Sequence, residues 1–154
     1  MVIGENMAFK IINKQESNKN KKIKEHEACR ILYENPQYVR IFNVSKIRPS
    51  QKRAEQFYCY VDYELEDGRT FGISYSFNRN GGGYFCGVSS KLYNLLSGFL
   101  DLNPLTANGL AFEDGDIEEA LLNKEFFPSI KIANIGGNAY PYIVCERVID
   151  WIIV

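Results

Sequence analysis

Apolar and polar residues alternate strictly along residues 56–77, and no other stretch of the chain carries so clear a pattern. Phe57, Cys59, Val61, Tyr63 and Leu65 fall on one register, and Gln56, Tyr58, Tyr60, Asp62 and Glu64 on the other. Successive strand side chains point to opposite faces, so a period of two predicts one buried and one wet face. The alternation stops at Glu66-Asp67-Gly68, where Gly accepts positive φ and Asp can bond its own backbone. It resumes with Phe71, Ile73, Tyr75 and Phe77 against Thr70, Gly72, Ser74 and Ser76. Residues 57–77 are therefore predicted to form an antiparallel hairpin.

Upstream, YVRIFNVSKI (38–47) is rich in β-branched and aromatic residues and reads as a strand. Its apolar face slips from Val39 and Ile41 to Phe42 and Val44, as a bulged, bent strand requires. Before it, Ala28, Ile31 and Leu32 recur at helical spacing in a short segment that Pro36 stops. Downstream, NRNGGG (78–83) reads as a loop and YFCGV as a short strand. Ser89 or Ser90 then caps a helix with Leu92, Leu95, Leu96 and Phe99 on one face. Residues 101–115 read as a loop with Asn-Pro and Asn-Gly breaks, and DIEEALLNK as a second short helix whose acids suit its N-terminal end. Two closing strands are expected to turn through Gly136-Gly137-Asn138.

A bent strand, a hairpin, a helical region and a closing hairpin make a mainly β chain. The element order is that of a five-stranded barrel of the oligonucleotide-binding (OB) type, with a helix between strands three and four. Its length of 154 residues suits one domain, expected over 28–154, with 1–27 as a flexible Lys-rich segment containing NKQESNKNKKIKE. Another small barrel, or an open β-sheet with two helices, is the alternative.

Composition narrows the setting. No apolar run approaches the roughly 18–20 residues of a membrane span, and the N-terminal stretch has no apolar leader, so a cytoplasmic protein without a membrane partner is expected. Cys29, Cys59, Cys86 and Cys145 are widely spaced and form no CxxC pair, which predicts buried reduced thiols rather than a metal site. The net charge of −1 conceals polarity: residues 35–54 contain Arg40, Lys46, Arg48, Lys52 and Arg53 and no acid, while residues 101–119 contain six acids and no base.

Candidate chemistry follows from the hairpin. Its outward face would present Tyr58 and Tyr60 beside Gly72, Ser74 and Ser76, two rings over small neighbours on which bases can stack. The basic loop KIRPSQKR supplies Lys46, Arg48, Lys52 and Arg53 at its edge, and Arg79 follows the second strand. Rings for bases beside cations for phosphates are what a single-strand groove needs. Tyr33, Tyr38, Phe85, Tyr93, Tyr140, Tyr142 and Trp151 are expected to pack in the core or at its rim. NRNGGG lacks the GK[ST] of a nucleotide loop, His26 has no catalytic partner motif, and the acids of 113–119 do not match DxDxDG. No catalytic residue, metal or cofactor is expected, and the chain reads as a non-enzyme.

VSSKLYNLLSGFL (88–100), DIEEALLNKEFFPSIKI (116–132) and AYPYIVCERVI (139–149) together resemble a group of small phage and mobile-element proteins. The resemblance covers roughly 38–150 and implies an OB-like fold with a role in single-stranded DNA binding or replication support. Asn123-Lys124 departs from the group's usual Gly-Lys, and residues 101–112 are longer than its pattern. The expected ligand is single-stranded DNA or RNA. The alternative is a protein-interaction or inhibitor module that uses the barrel face or the acidic patch.

Overall fold

The computed structural model describes residues 21–100 and 108–149. Helix α1 (Glu25–Glu34) buries Ala28, Cys29 and Leu32, carries Glu25 and Glu27 in its first turn, and ends where Asn35 N–H donates to Ile31 O. Pro36 cannot continue it. The expected flexible segment lies outside the described residues up to residue 20. Residues 21–27 belong to the fold: Thr70 exchanges backbone hydrogen bonds of 2.8 Å with Lys21 and Ile23, and Ile23 is buried.

Strand β1 (Val39–Val44) has the anticipated bulge, a register shift against its neighbour between Ile41 and Asn43. The shift leaves Phe42 38% exposed and returns Val44 to the core. A two-residue strand β2 (Arg48–Pro49) leads into the hairpin of β3 (Gln56–Leu65) and β4 (Thr70–Asn80), which pair continuously from Gln56↔Asn78 to Glu64↔Thr70. At the turn, Gly68 takes φ 92°, and Asp67 accepts from Arg69 N at 3.0 Å and pairs with its guanidinium at 2.8 Å.

Strand β4 runs further than its composition suggests. It includes Asn78, Arg79 and Asn80, so the expected loop at 78–83 shrinks to a tight turn at Gly81-Gly82 before β5 (Gly83–Gly87). Pairing with β5 supplies the backbone partners that polar side chains do not advertise. Ser90 caps α2 (Lys91–Leu96), its hydroxyl accepting from Tyr93 N at 3.1 Å. The region expected to be a loop contains a further strand, β6 (Gly109–Phe112), paired with β5; residues 101–107 lie outside the described residues. Helix α3 (Asp116–Leu121) starts from Gly115 at φ 90°, with Asp116 accepting from Glu113 N at 2.8 Å. Strands β7 (Glu125–Ile135) and β8 (Asn138–Val148) turn through Gly136 and Gly137, whose φ of 58° and 83° suit a tight hairpin.

Among the described residues the eight strands pair antiparallel, in the order β6-β5-β4-β3-β1-β7-β8, with β2 beside β3. This eight-stranded sheet is not closed, whereas five strands in a closed barrel were expected. Helices α1 and α2 cover its inner face, where Ile41, Val61, Tyr63, Phe71, Ile73 and Tyr75 form the core with Leu92 and Leu95. Helix α2 packs against β8, β4 and β5. Gly98 permits that approach, since a Cβ there would lie 2.6 Å from the Cys145 carbonyl.

The four cysteines are buried and free. Of the aromatic residues expected in the core or at its rim, Tyr38 packs at the rim on Phe127 at a ring separation of 5.2 Å, whereas Tyr33 is 75% exposed and Tyr140 is exposed near the β7–β8 turn. Helix and strand periodicity place backbone positions, but neighbours decide whether a side chain there is covered. Trp151 lies outside the described residues.

Candidate functional site

The register of the sheet decides which side chains can meet. Directly opposed residues share a face, and Arg48↔Tyr58↔Ser76 forms one row across β2, β3 and β4. The next row is Tyr60↔Ser74, and the one after it Asn43↔Asp62↔Gly72. All three lie on the outer face, away from the helices. Tyr60 is 49% exposed, Tyr58 half-buried, and their rings meet edge to face at 5.9 Å and 88°. Ser74 and Ser76 leave the opposite side of each ring low. Just past β1, Ser45 holds the Tyr60 backbone, its N donating to Tyr60 O and its Oγ accepting from Tyr60 N, both at 2.8 Å.

The basic loop borders this surface. Ser50 Oγ accepts from Lys52 N and Arg53 N at 3.3 Å, Ser50 N donates to Gln56 O, and Glu55 closes the turn at φ 61°. A non-glycine residue at positive φ costs about 1 kcal/mol or more, held here because Arg79 N also donates to Glu55 O at 3.0 Å. Lys46, Arg48, Lys52 and Arg53 are exposed and form no ion pair among the described residues. Lys46 differs from the others in lining a cleft with Asp114 and Glu118 at the start of α3, so its charge is partly offset.

Charge on the outer face is sorted along the strands. At the turn end, Glu64 pairs with Arg40 at 3.0 Å and Asp62 accepts from Asn43 Nδ2 at 2.8 Å. At the other end Arg48, Lys52 and Arg53 form no ion pair among the described residues, so cations border Tyr58.

Arg79 is not part of this surface. Its register partner is Tyr84, and it shares the inner side of β4 with Phe77. Its guanidinium lies 4.8 Å from the Phe57 ring centroid and 5.6 Å from that of Tyr84, capping the aromatic end of the core. Two residues from Phe77 on a strand necessarily means the same face, so the parity was readable once β4 was known to extend past Phe77.

Composition did not single out Asn43, and marked Arg40 only as one of the cations of residues 35–54. Asp62 and Gly72 were legible as outward positions, but only pairing across three strands sets them beside Asn43. Among the described residues no group of His, Cys, Asp and Glu could hold a metal ion, and no helix is long and apolar enough to cross a membrane. No family model matches the chain, and no curated protein matches it significantly.

Proposed function

We propose that the chain is a non-enzymatic module that binds single-stranded nucleic acid on the outer face of β3 and β4. The observation that carries this reading is the row Arg48–Tyr58–Ser76 beside Tyr60–Ser74: two accessible rings over small residues, flanked by unpaired cations. Tyr58 and Tyr60 would stack bases, while Arg48, Lys52 and Arg53 would hold phosphates, with Lys46 contributing less. Arg79 would act through the core beneath rather than on the ligand.

The same reading treats the fold as an opened OB-type barrel. The order β4-β3-β1-β7-β8 supports it, being the linear order 3-2-1-4-5 of a five-stranded Greek-key barrel, and α2 separates β8 from β4 where such a barrel would close. In OB barrels the face of strands two and three and the loop before them take oligonucleotides. Those elements correspond here to β3, β4 and residues 45–55. The resemblance to phage and mobile-element proteins, a cytoplasmic setting and a role in replication support belong to this proposal.

Titration of a labelled thymine-rich single strand by fluorescence anisotropy at two salt concentrations tests it. Affinity should fall steeply with salt, and Tyr60→Ala should weaken it by about 1–3 kcal/mol. Absent or salt-independent binding would overturn the proposal.

The alternative, a protein-interaction or inhibitor module, is favoured by the far end of the β7–β8 hairpin. There Ile132, Ile135 and Tyr140 are exposed within residues 132–145, a run without charge. A defined protein partner whose binding is lost in Ile135→Lys and kept in Tyr60→Ala would select this reading.

A further inference from the structure

We infer that the outer face distinguishes bases, and that the Asp62 carboxylate beside Tyr60 makes it prefer guanine. The inference rests on the single-stranded nucleic-acid reading above. An acid on a surface that meets phosphates opposes binding unless it meets a donor instead. Asp62 is placed to do so. Asn43 Nδ2 holds its Oδ2 at 2.8 Å, which fixes the carboxylate, while Oδ1 has no hydrogen-bond partner among the described residues.

Gly72, opposite Asp62 on β4, carries no side chain, which lets the carboxylate lie across that strand beside Tyr60. A Cβ at Gly72 would clash with Asp62 Oδ1 at 2.8 Å and touch Tyr60 Cδ1 at 3.9 Å, so carboxylate and ring lie over the same glycine. Neighbouring same-face positions on a strand are about 7 Å apart, so the edge of a base stacked on Tyr60 reaches Asp62. What that edge must offer follows from the acceptor-only chemistry of an ionised carboxylate.

Guanine presents two adjacent donors, N1–H and the 2-amino group, with no acceptor between them. Thymine and uracil offer one N–H between two carbonyls, whose oxygens repel the carboxylate. Cytosine and adenine offer an amine beside a ring nitrogen that is itself an acceptor. Guanine alone offers two adjacent donors, one for the unpartnered Oδ1 and one for the second lone pair of Oδ2, whose first is taken by Asn43.

Three labelled single strands test this: thymine only, thymine with spaced guanines, and the same strand with inosine in place of guanine. Each is titrated against the full chain and its Asp62→Asn variant. The unaltered chain should bind the guanine strand about tenfold more tightly than the thymine strand, with inosine between, because inosine lacks the 2-amino donor. Asp62→Asn should lose the preference while keeping or improving its thymine-strand affinity, since a charge facing phosphates has gone. Equal affinity of the unaltered chain for guanine and thymine strands, or a preference that survives Asp62→Asn, would overturn the inference and leave salt-dependent binding standing. Failure of all three strands to bind would overturn it together with the reading beneath it.

Discussion

Tyr63 on β3 and Tyr75 on β4 stand on the inner face with the Val61–Ile73 pair between their rows, their hydroxyls 2.6 Å apart and each ring no more than 1% exposed. No water can replace either partner, and burial pushes both phenols well above their ordinary ionisation range. Tyr63→Phe keeps the ring that stacks on Phe71 at 5.0 Å and meets Phe126 edge-on, and removes only the hydroxyl. It strands the Tyr75 hydroxyl, at a cost of about 1–3 kcal/mol, and Tyr75→Phe should do the same to Tyr63. The double variant strands neither. Its loss should fall short of the summed single losses by about 1 kcal/mol or more, the signature of a direct pair. Urea denaturation followed by far-ultraviolet circular dichroism of the four proteins measures this. Additive losses would refute the pairing and, with it, the parity that turns Tyr58 and Tyr60 outward.

Other expectations are simpler to check. Gly98→Ala must push β8 away from α2, because its Cβ would also lie 2.8 Å from Cys145 Sγ, and should cost about 1–3 kcal/mol in thermal unfolding. Gly82→Ala, with open space around it, should change stability by no more than about 0.5 kcal/mol. Burial pushes the Cys29 and Cys145 thiols up to about 11 and Cys59 up to about 12, from an ordinary value of 9.0. Their contribution to stability is complete below pH 9.0 and is lost as pH rises towards 11–12, because the unfolded thiols release protons first. Urea midpoints should therefore fall on the alkaline side, and a constant midpoint would contradict the burial of these groups.

The sequence alone determined local facts. Strict alternation set the hairpin and the parity of its two faces, because a strand has no other periodicity. Ser90 and Pro36 marked helix ends through one hydroxyl and one missing N–H, and the bulge in β1 was visible as a slip in its apolar face. Pairing partners were not legible in the same way. Strand β6 and the far end of β4 exist because each finds the edge of β5, a condition met outside their own few residues. An eight-stranded open sheet in place of a five-stranded closed barrel likewise depends on which edges meet, and α2 standing between β8 and β4 is a packing outcome. The candidate surface divides along the same line. Parity alone turned Tyr58 and Tyr60 outward, but only cross-strand register put Arg48, Ser76 and the Asn43–Asp62 pair beside them and sent Arg79 to the other face. Side-chain direction is a property of one strand, whereas a site is made by several, and hydrogen bonds between distant segments set their alignment.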